Sequence, residues 1–134
     1  MKLKLLFVVA AAIFFTSCNQ NADNPISDID VAHTFIKATL ENDYTTAETY
    51  LLKDETNRQY LEVWEKQFVK LSKEELNKYK NADIIVNEVS NVNDSITIVN
   101  YSNSYKKEVK TKVKMVKISG KWLVDFKYTF SGNM

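Results

Sequence analysis

A chain of 134 residues is sized for one domain with a single core and is too short for two ordinary ones. Eighteen basic residues against 17 acidic ones give a formal charge of +1, so no global field draws the chain to nucleic acid. One cysteine excludes an intrachain disulfide, and with Gly120 and Gly132 as the only glycines there is no glycine-rich phosphate loop and no dinucleotide fingerprint.

The chain opens with Lys2 and Lys4 and continues in an unbroken apolar run over residues 5–15. A basic start followed by a short apolar run is the pattern of a signal peptide. The run is about half of the ~20 residues needed to cross a bilayer as a helix. The small residues Thr16 and Ser17 follow, then Cys18, then a polar stretch over residues 19–25 with no hydrophobe larger than alanine. Small residues before a cysteine at the end of a short leader resemble the lipobox of bacterial lipoproteins. The family favours leucine where this chain has Phe15, while Ser17 meets the demand for a small residue at the cleavage point.

The resemblance implies that residues 1–17 are a signal peptide, that Cys18 receives a diacylglyceryl group and becomes the acylated N-terminus, and that residues 18–25 are the lipidated cysteine and its tether. It also implies a bacterial envelope location, lipid-anchored, at an outer membrane facing the periplasm or at the cell surface. An ordinary secretory peptide cut near Ser17, leaving a free thiol, is the alternative. Removing residues 1–17 from the 134 leaves 117 residues, and losing Lys2 and Lys4 leaves 16 basic and 17 acidic residues, a charge of −1. The tether reaches on the order of 15 Å as a random coil.

The expected domain spans residues 26–130, with residues 131–134 as a tail. Ser27 and Asp30 form a capping-box pattern, with Ile26 and Val31 placed as a hydrophobic staple. Ile29, Ala32, His33, Ile36 and Leu40 then recur at helical spacing. A short helix over 45–52 follows, capped by Asp43 or Thr45, with Ala47, Tyr50 and Leu51 inward. A longer one over 54–71 carries Tyr60, Leu61, Trp64, Phe68 and Leu71 on one face and Arg58, Glu62, Lys66 and Lys70 on the other. Ser72 and Glu75 repeat the capping box and start a last helix through Leu76 and Tyr79.

From Ala82 the apolar period changes to two, which predicts strands over 83–92, 95–101, 107–118 and 121–130. Asn93-Asp94 and Ser119-Gly120 read as tight hairpins. The last strand places Trp122, Val124, Phe126, Tyr128 and Phe130 on one face and Leu123 and Asp125 on the other. In the third strand the apolar parity shifts from Val113 and Met115 to Val116 and Ile118, which predicts a β-bulge near Met115. The fold class is α+β, N-terminal helices packed on a strongly curved four-stranded antiparallel sheet. Helices followed by strands, closed by the Gly120-Lys121-Trp122 hairpin, resemble the nuclear-transport-factor-2-like (cystatin-like) superfamily, and 107–126 is similar to the last hairpin of small bacterial lipoproteins with that cone-shaped fold.

Chemistry-bearing residues are sparse. His33 is the only histidine, too few for a multi-histidine metal site and without a triad partner on its helical face. Cone-fold enzymes place an acid or base inside the cone, which the resemblance would seek in Asp125, but strand alternation puts its carboxylate on the face opposite the aromatics. Glu62 and Glu65, like Glu74 and Glu75, stand among lysines as solvated charge. Between residues 106 and 127, eight lysines face Glu108 and Asp125, a local charge of +6. Lys110, Lys112 and Lys114 there share one strand face, a pattern that also guards a sheet edge against pairing. His33, Tyr60, Trp64, Trp122 and Tyr128 are the candidate pocket-lining residues.

Together these features describe a membrane-anchored envelope lipoprotein whose domain binds a small molecule or a protein. It has no catalytic residues, metal or cofactor, and no nucleic-acid partner. A small hydrolase or isomerase with its site in the cone, and a purely structural or assembly subunit, are the alternatives.

Overall fold

The computed structural model describes residues 26–132. The leader, Cys18 and the tether lie outside the described residues. Four helices come first. Helix α1 (Asp28–Leu40) starts with both halves of the expected capping box, Asp30 N–H donating to Ser27 Oγ at 3.1 Å and Ser27 N–H to the Asp30 carboxylate at 3.3 Å. Ile26 stays 59% exposed, so it adds little as a staple to the buried Val31. The buried arc holds Val31, Ala32, Phe35, Ile36, Ala38, Thr39 and Leu40. At 100° per residue His33 falls just beyond that arc, which corrects its expected place on the inner stripe: it is exposed.

Helix α2 (Tyr44–Thr49) is capped by Asp43, and α3 (Glu55–Phe68) by Asp54. Helix α4 (Lys73–Lys80) carries the second capping box, Ser72 with Glu75. Burial on α3 runs through Asn57, Leu61 and Phe68, while Tyr60 on its flank is 37% exposed.

The strands β1 (Ile84–Asn93), β2 (Ile96–Asn103), β3 (Thr111–Ile118) and β4 (Lys121–Asp125) form one antiparallel sheet in sequence order. The fold is α+β as expected. The sheet is open, with β1 and β4 at its edges, and it neither closes nor curls strongly. Ile118 pairs with Lys121 across Ser119 and Gly120, whose φ of +50° and +78° suit the primed turn that a two-residue hairpin needs. The first hairpin turns one residue later than expected, at Asp94-Ser95 between the paired Asn93 and Ile96.

Three expectations for the strands need correction. The pairing of β3 with both neighbours runs without a shift, so there is no bulge at Met115; the irregularities lie in β1, between Val86 and Glu88 and between Asn91 and Asn93. Val116 faces outward, where it pairs with Ile96 and Leu123, so the parity change marks an apolar row on the outer face. Strand β3 begins at Thr111, four residues later than read. The last strand ends at Asp125 and coils into a 3₁₀ helix (Phe126–Phe130), because the Lys127 N–H donates to the Asn57 side chain at 2.8 Å and so leaves the strand ladder.

The core lies between α1 and the inner sheet face, where Phe35, Ile36, Val99, Val113, Met115 and Val124 are almost fully buried. The segment joining α2 to α3 docks on β4, Leu52 N–H donating to Val124 O at 2.9 Å and Val124 N–H to Tyr50 O at 2.8 Å. That covers one sheet edge and fixes the α2–α3 pair against the sheet. Among the described residues no helix is long and apolar enough to cross a membrane.

Candidate functional site

The aromatic residues expected around a pocket are distributed through the fold. Tyr60 stacks on Phe130 with ring centroids 4.9 Å apart, and Trp64 meets Phe126 edge-on at 6.0 Å and Phe130 at 5.9 Å. These two residues are therefore brought together on the 3₁₀ helix. Trp122 is half-buried at the far end of β4 with Lys117 Nζ 5.6 Å from its ring, and Tyr128 is half-buried with Lys114 Nζ at 5.8 Å. His33 joins none of them. Trp64 reaches a small cleft of about 60 Å³ with Tyr79, Tyr101 and Asn103. Burial pushes the Tyr101 hydroxyl there up to about 12, against a lowering hydrogen bond with Thr111.

Asp125 keeps the face that strand alternation gives it, but not the solvation of an outer face. It faces the outer side of the sheet yet is only 6% exposed, because the start of α3 and the 3₁₀ helix wrap around β4 and cover it. Its carboxylate meets Lys127 Nζ at 3.0 Å and Lys114 Nζ at 3.6 Å, and accepts from Asn57 Nδ2 at 3.1 Å. The Asn57 amide also donates to Asp54 Oδ2 at 2.8 Å, and Lys127 Nζ reaches the same oxygen at 3.3 Å. Chiefly the Asn57 backbone N–H holds the Asp54 carboxyl below its ordinary range, and chiefly the Asp125 hydrogen bond raises the Lys127 ammonium. Every polar atom at this junction serves another, so the cluster ties α3 to the sheet.

Asn57 is fully buried, yet the sequence reading passed over it. Its signal was positional: Asn57, Leu61, Trp64 and Phe68 repeat at helical spacing, which places a polar side chain on the buried stripe.

The concave surface lies on the other side of α3. A cleft of about 380 Å³ separates α2 from α3, lined by Tyr44, Thr45 and Glu48 on one wall and Arg58, Leu61, Glu62 and Glu65 on the other. A second cleft, of about 250 Å³, continues from it past the shared Glu48 and Arg58 toward Leu52 and Asp54. The Arg58 guanidinium bridges Glu62 and Glu55, at 2.7 Å to each, and its hydrogen bond to Glu55 raises it further above its ordinary range. Glu48 and Glu65 are exposed, and their carboxylates take part in none of the ion pairs among the described residues. The lining thus carries three carboxylates and one guanidinium that is already engaged.

Tyr44 is the unusual member. It is 8% exposed, and its hydroxyl is the one buried side-chain polar atom among the described residues with no hydrogen-bond partner. Burial first, and the Glu65 carboxylate second, push the hydroxyl well above its ordinary range, so it keeps its proton and can both donate and accept. Tyr44 was legible only as an aromatic in phase with Ala47 and Leu51, a pattern that reads as core. Among the described residues no three His, Cys, Asp or Glu side chains converge to hold a metal ion. The arrangement suits binding by hydrogen bond and charge. Comparison with protein-family models, curated proteins and solved structures finds no match.

Proposed function

We propose that this chain is a lipid-anchored envelope protein whose α+β domain is a non-catalytic binding module, with the α2–α3 cleft as its small-molecule site. The observation that carries the site is the α2–α3 cleft itself, about 380 Å³ in volume and walled by Tyr44 and Glu48 on one side and by Leu61 and Glu65 on the other. Its volume falls in the range of small-ligand clefts, and its charged lining favours a polar ligand over an apolar one. The buried carboxylate of Asp125 is engaged by two lysines and an asparagine, which favours a structural role over acid or base chemistry.

The anchor rests on Cys18, which stands ten residues before the first helix, α1, begins at Asp28. Within this reading the domain is a shallow relative of the nuclear-transport-factor-2-like cone. The helices-then-strands order and the two irregularities in β1, which bend an edge strand, favour it. Growth with radioactive fatty acid tests the anchor: label enters the wild-type protein and is absent from Cys18→Ala, and equal labelling of the two refutes it. For the site, a fragment screen read by amide resonances is expected to move those of Tyr44, Glu48 and Leu61. Hits confined to other surfaces would remove the cleft from consideration.

A further inference from the structure

We propose that the hairpin end of the sheet is a docking surface for an anionic phospholipid bilayer, so that the anchored domain lies on the membrane with this end down; this rests on the anchor at Cys18. The start of α1 fixes where the chain from Cys18 enters the fold. The Thr97 hydroxyl donates to the Asp28 carboxylate, and Thr97 stands one residue after Ile96, where β2 leaves the Asp94-Ser95 turn. The second hairpin tip lies beside the first, the Lys117 N–H donating to Ser95 O at 2.8 Å. The other end of α1 brings Leu40 to a cleft shared with Tyr101 and Asn103, at the far end of β2. Ser27 stands nine residues after Cys18, a length that spans at most about 30 Å. A lipid at Cys18 therefore holds the hairpin end, rather than the opposite one, close to the bilayer.

That end presents apolar and basic groups together. On the outer face Ile96, Val116 and Leu123 pair in a row across β2, β3 and β4, each only half-buried. Beyond the row Ile118 is 50% exposed, and Val92 at the other hairpin tip is 57% exposed. Lys117 pairs with the half-buried Trp122, and Ile118 with Lys121, so an exposed lysine stands next to each large apolar side chain of the β3–β4 tip. The neighbouring turn adds one acid, Asp94. Toward the other end of the sheet the outer face is polar, with the Asn87 amide donating to Asn100 and Ser102 at 3.3 Å each.

Charge and chemistry select a bilayer as the occupant. Aliphatic side chains and a tryptophan suit the boundary between headgroups and acyl chains, while lysines beside them keep their ammonium groups at the phosphates. The lysine-rich stretch 106–127 does not act as one patch: Lys106, Lys107 and Lys110 lie in the loop between β2 and β3 at the opposite end, and Lys114 and Lys127 are held by Asp125. Lys117 and Lys121 are the ones placed where the chain from Cys18 enters. A second copy packed symmetrically on the same tip would bring these lysines toward their own counterparts, which favours anionic lipid instead. Two lysines are a weak attraction for a free protein, and the anchor makes them sufficient by keeping the surface at high local concentration.

The test reconstitutes the full lipidated protein into vesicles of phosphatidylcholine, or of phosphatidylcholine with phosphatidylglycerol, each with and without brominated acyl chains. Flotation reads the anchor. Quenching of Trp122 by brominated lipid reads the docking, taken from Trp64→Phe, where Trp122 is the sole tryptophan, and again as the quenching that Trp122→Phe removes from the wild type. Flotation with both vesicles is expected, with Trp122 quenched in the anionic ones only and less so at high salt. Lys121→Gln is expected to weaken docking about fivefold, and Ile118→Ser to lower the quenching, while Lys106→Gln, Lys107→Gln and Lys110→Gln together leave it unchanged. Flotation with both vesicles but no quenching of Trp122 keeps the anchor and overturns the docking. So does quenching that the triple loop variant abolishes and Lys121→Gln does not, or shielding of Trp122 that rises with protein density in place of lipid contact, which assigns the face to a second copy. Flotation with anionic vesicles alone, with quenching, upholds the docking and removes the anchor; flotation with neither refutes both.

Discussion

Replacing Asn57 with alanine removes three side-chain hydrogen bonds: to Asp54 at 2.8 Å, to Asp125 at 3.1 Å and from the Lys127 N–H at 2.8 Å. At about 1 kcal/mol net for each of the two buried bonds, and about half that for the one at the more exposed Asp54, the direct loss is about 2.5 kcal/mol. The stranded Lys127 N–H and the vacated volume add about 1 kcal/mol or more, for a total of about 3–4 kcal/mol. With a urea m-value of about 1–1.5 kcal/mol/M for a domain of this size, the midpoint falls by about 2–4 M.

Asn57→Asp separates the amide's donors from its volume. It keeps an acceptor for Lys127 but loses both donors and sets a third carboxylate between Asp54 and Asp125. Crowding and burial raise the folded pKa of the new group. A raised carboxyl pKa destabilises the fold at pH values above it, so the deficit is large at neutral pH and shrinks as pH falls through that pKa. Equilibrium urea unfolding, followed by tryptophan fluorescence at neutral and mildly acidic pH, reads both variants. A loss below about 1 kcal/mol in Asn57→Ala, or a pH-independent deficit in Asn57→Asp, would refute the view that this junction holds α3 to the sheet.

Tyr44→Phe deletes a hydroxyl that bonds to nothing in the fold, so without ligand it should leave stability unchanged or raise it by up to about 1 kcal/mol; a clear loss in the same urea assay would mean that the hydroxyl is satisfied. Gly120 sits at φ +78° with nothing within 4 Å of an added Cβ, so Gly120→Ala costs only backbone strain, about 1–2 kcal/mol, read as a lowered Tm. Ser119→Asn, at φ +50° in the same turn, should raise Tm instead. The hydrogen bonds with Ser27, Thr46 and Asn57 lower the folded-state pKa of Asp30, Asp43 and Asp54, and those with Ser72 lower that of Glu75. Each such group stabilises the fold above its unfolded pKa, and that stability is lost as pH falls through the depressed folded value. Unfolding free energy should therefore decline steadily below the ordinary carboxylate range, and a flat profile down to about pH 3 would contradict these caps.

Local signals were the most legible part of the sequence. Both capping boxes, the Asp43 cap and the Ser119-Gly120 turn depend on residues three or fewer apart, and all form. Long-range ties were not legible. The end of β4 is decided by Asn57, 70 residues before Lys127, and an alternation argument confined to 121–130 has no access to that bond. Alternation likewise found the outer face of Asp125 but not its burial, since the covering elements come from α3 and the 3₁₀ helix. Val116 and Ile118 were read as a slip in parity because apolar residues were assumed to share one face, whereas Ile96 and Leu123 continue their row outward. Of the proposed sites, the anchor at Cys18 is marked in the sequence by position, but the cleft is not. Its walls are helix-surface glutamates, and its distinctive group, the Tyr44 hydroxyl, is visible only once burial and partners are known.

A high-resolution crystal structure of the protein purified from its native host tests the central claim most directly. The account predicts ordered ligand density in the α2–α3 cleft, between the Glu48 wall and the wall of Leu61 and Glu65. An empty cleft, or α2 and α3 closed over it, would contradict it.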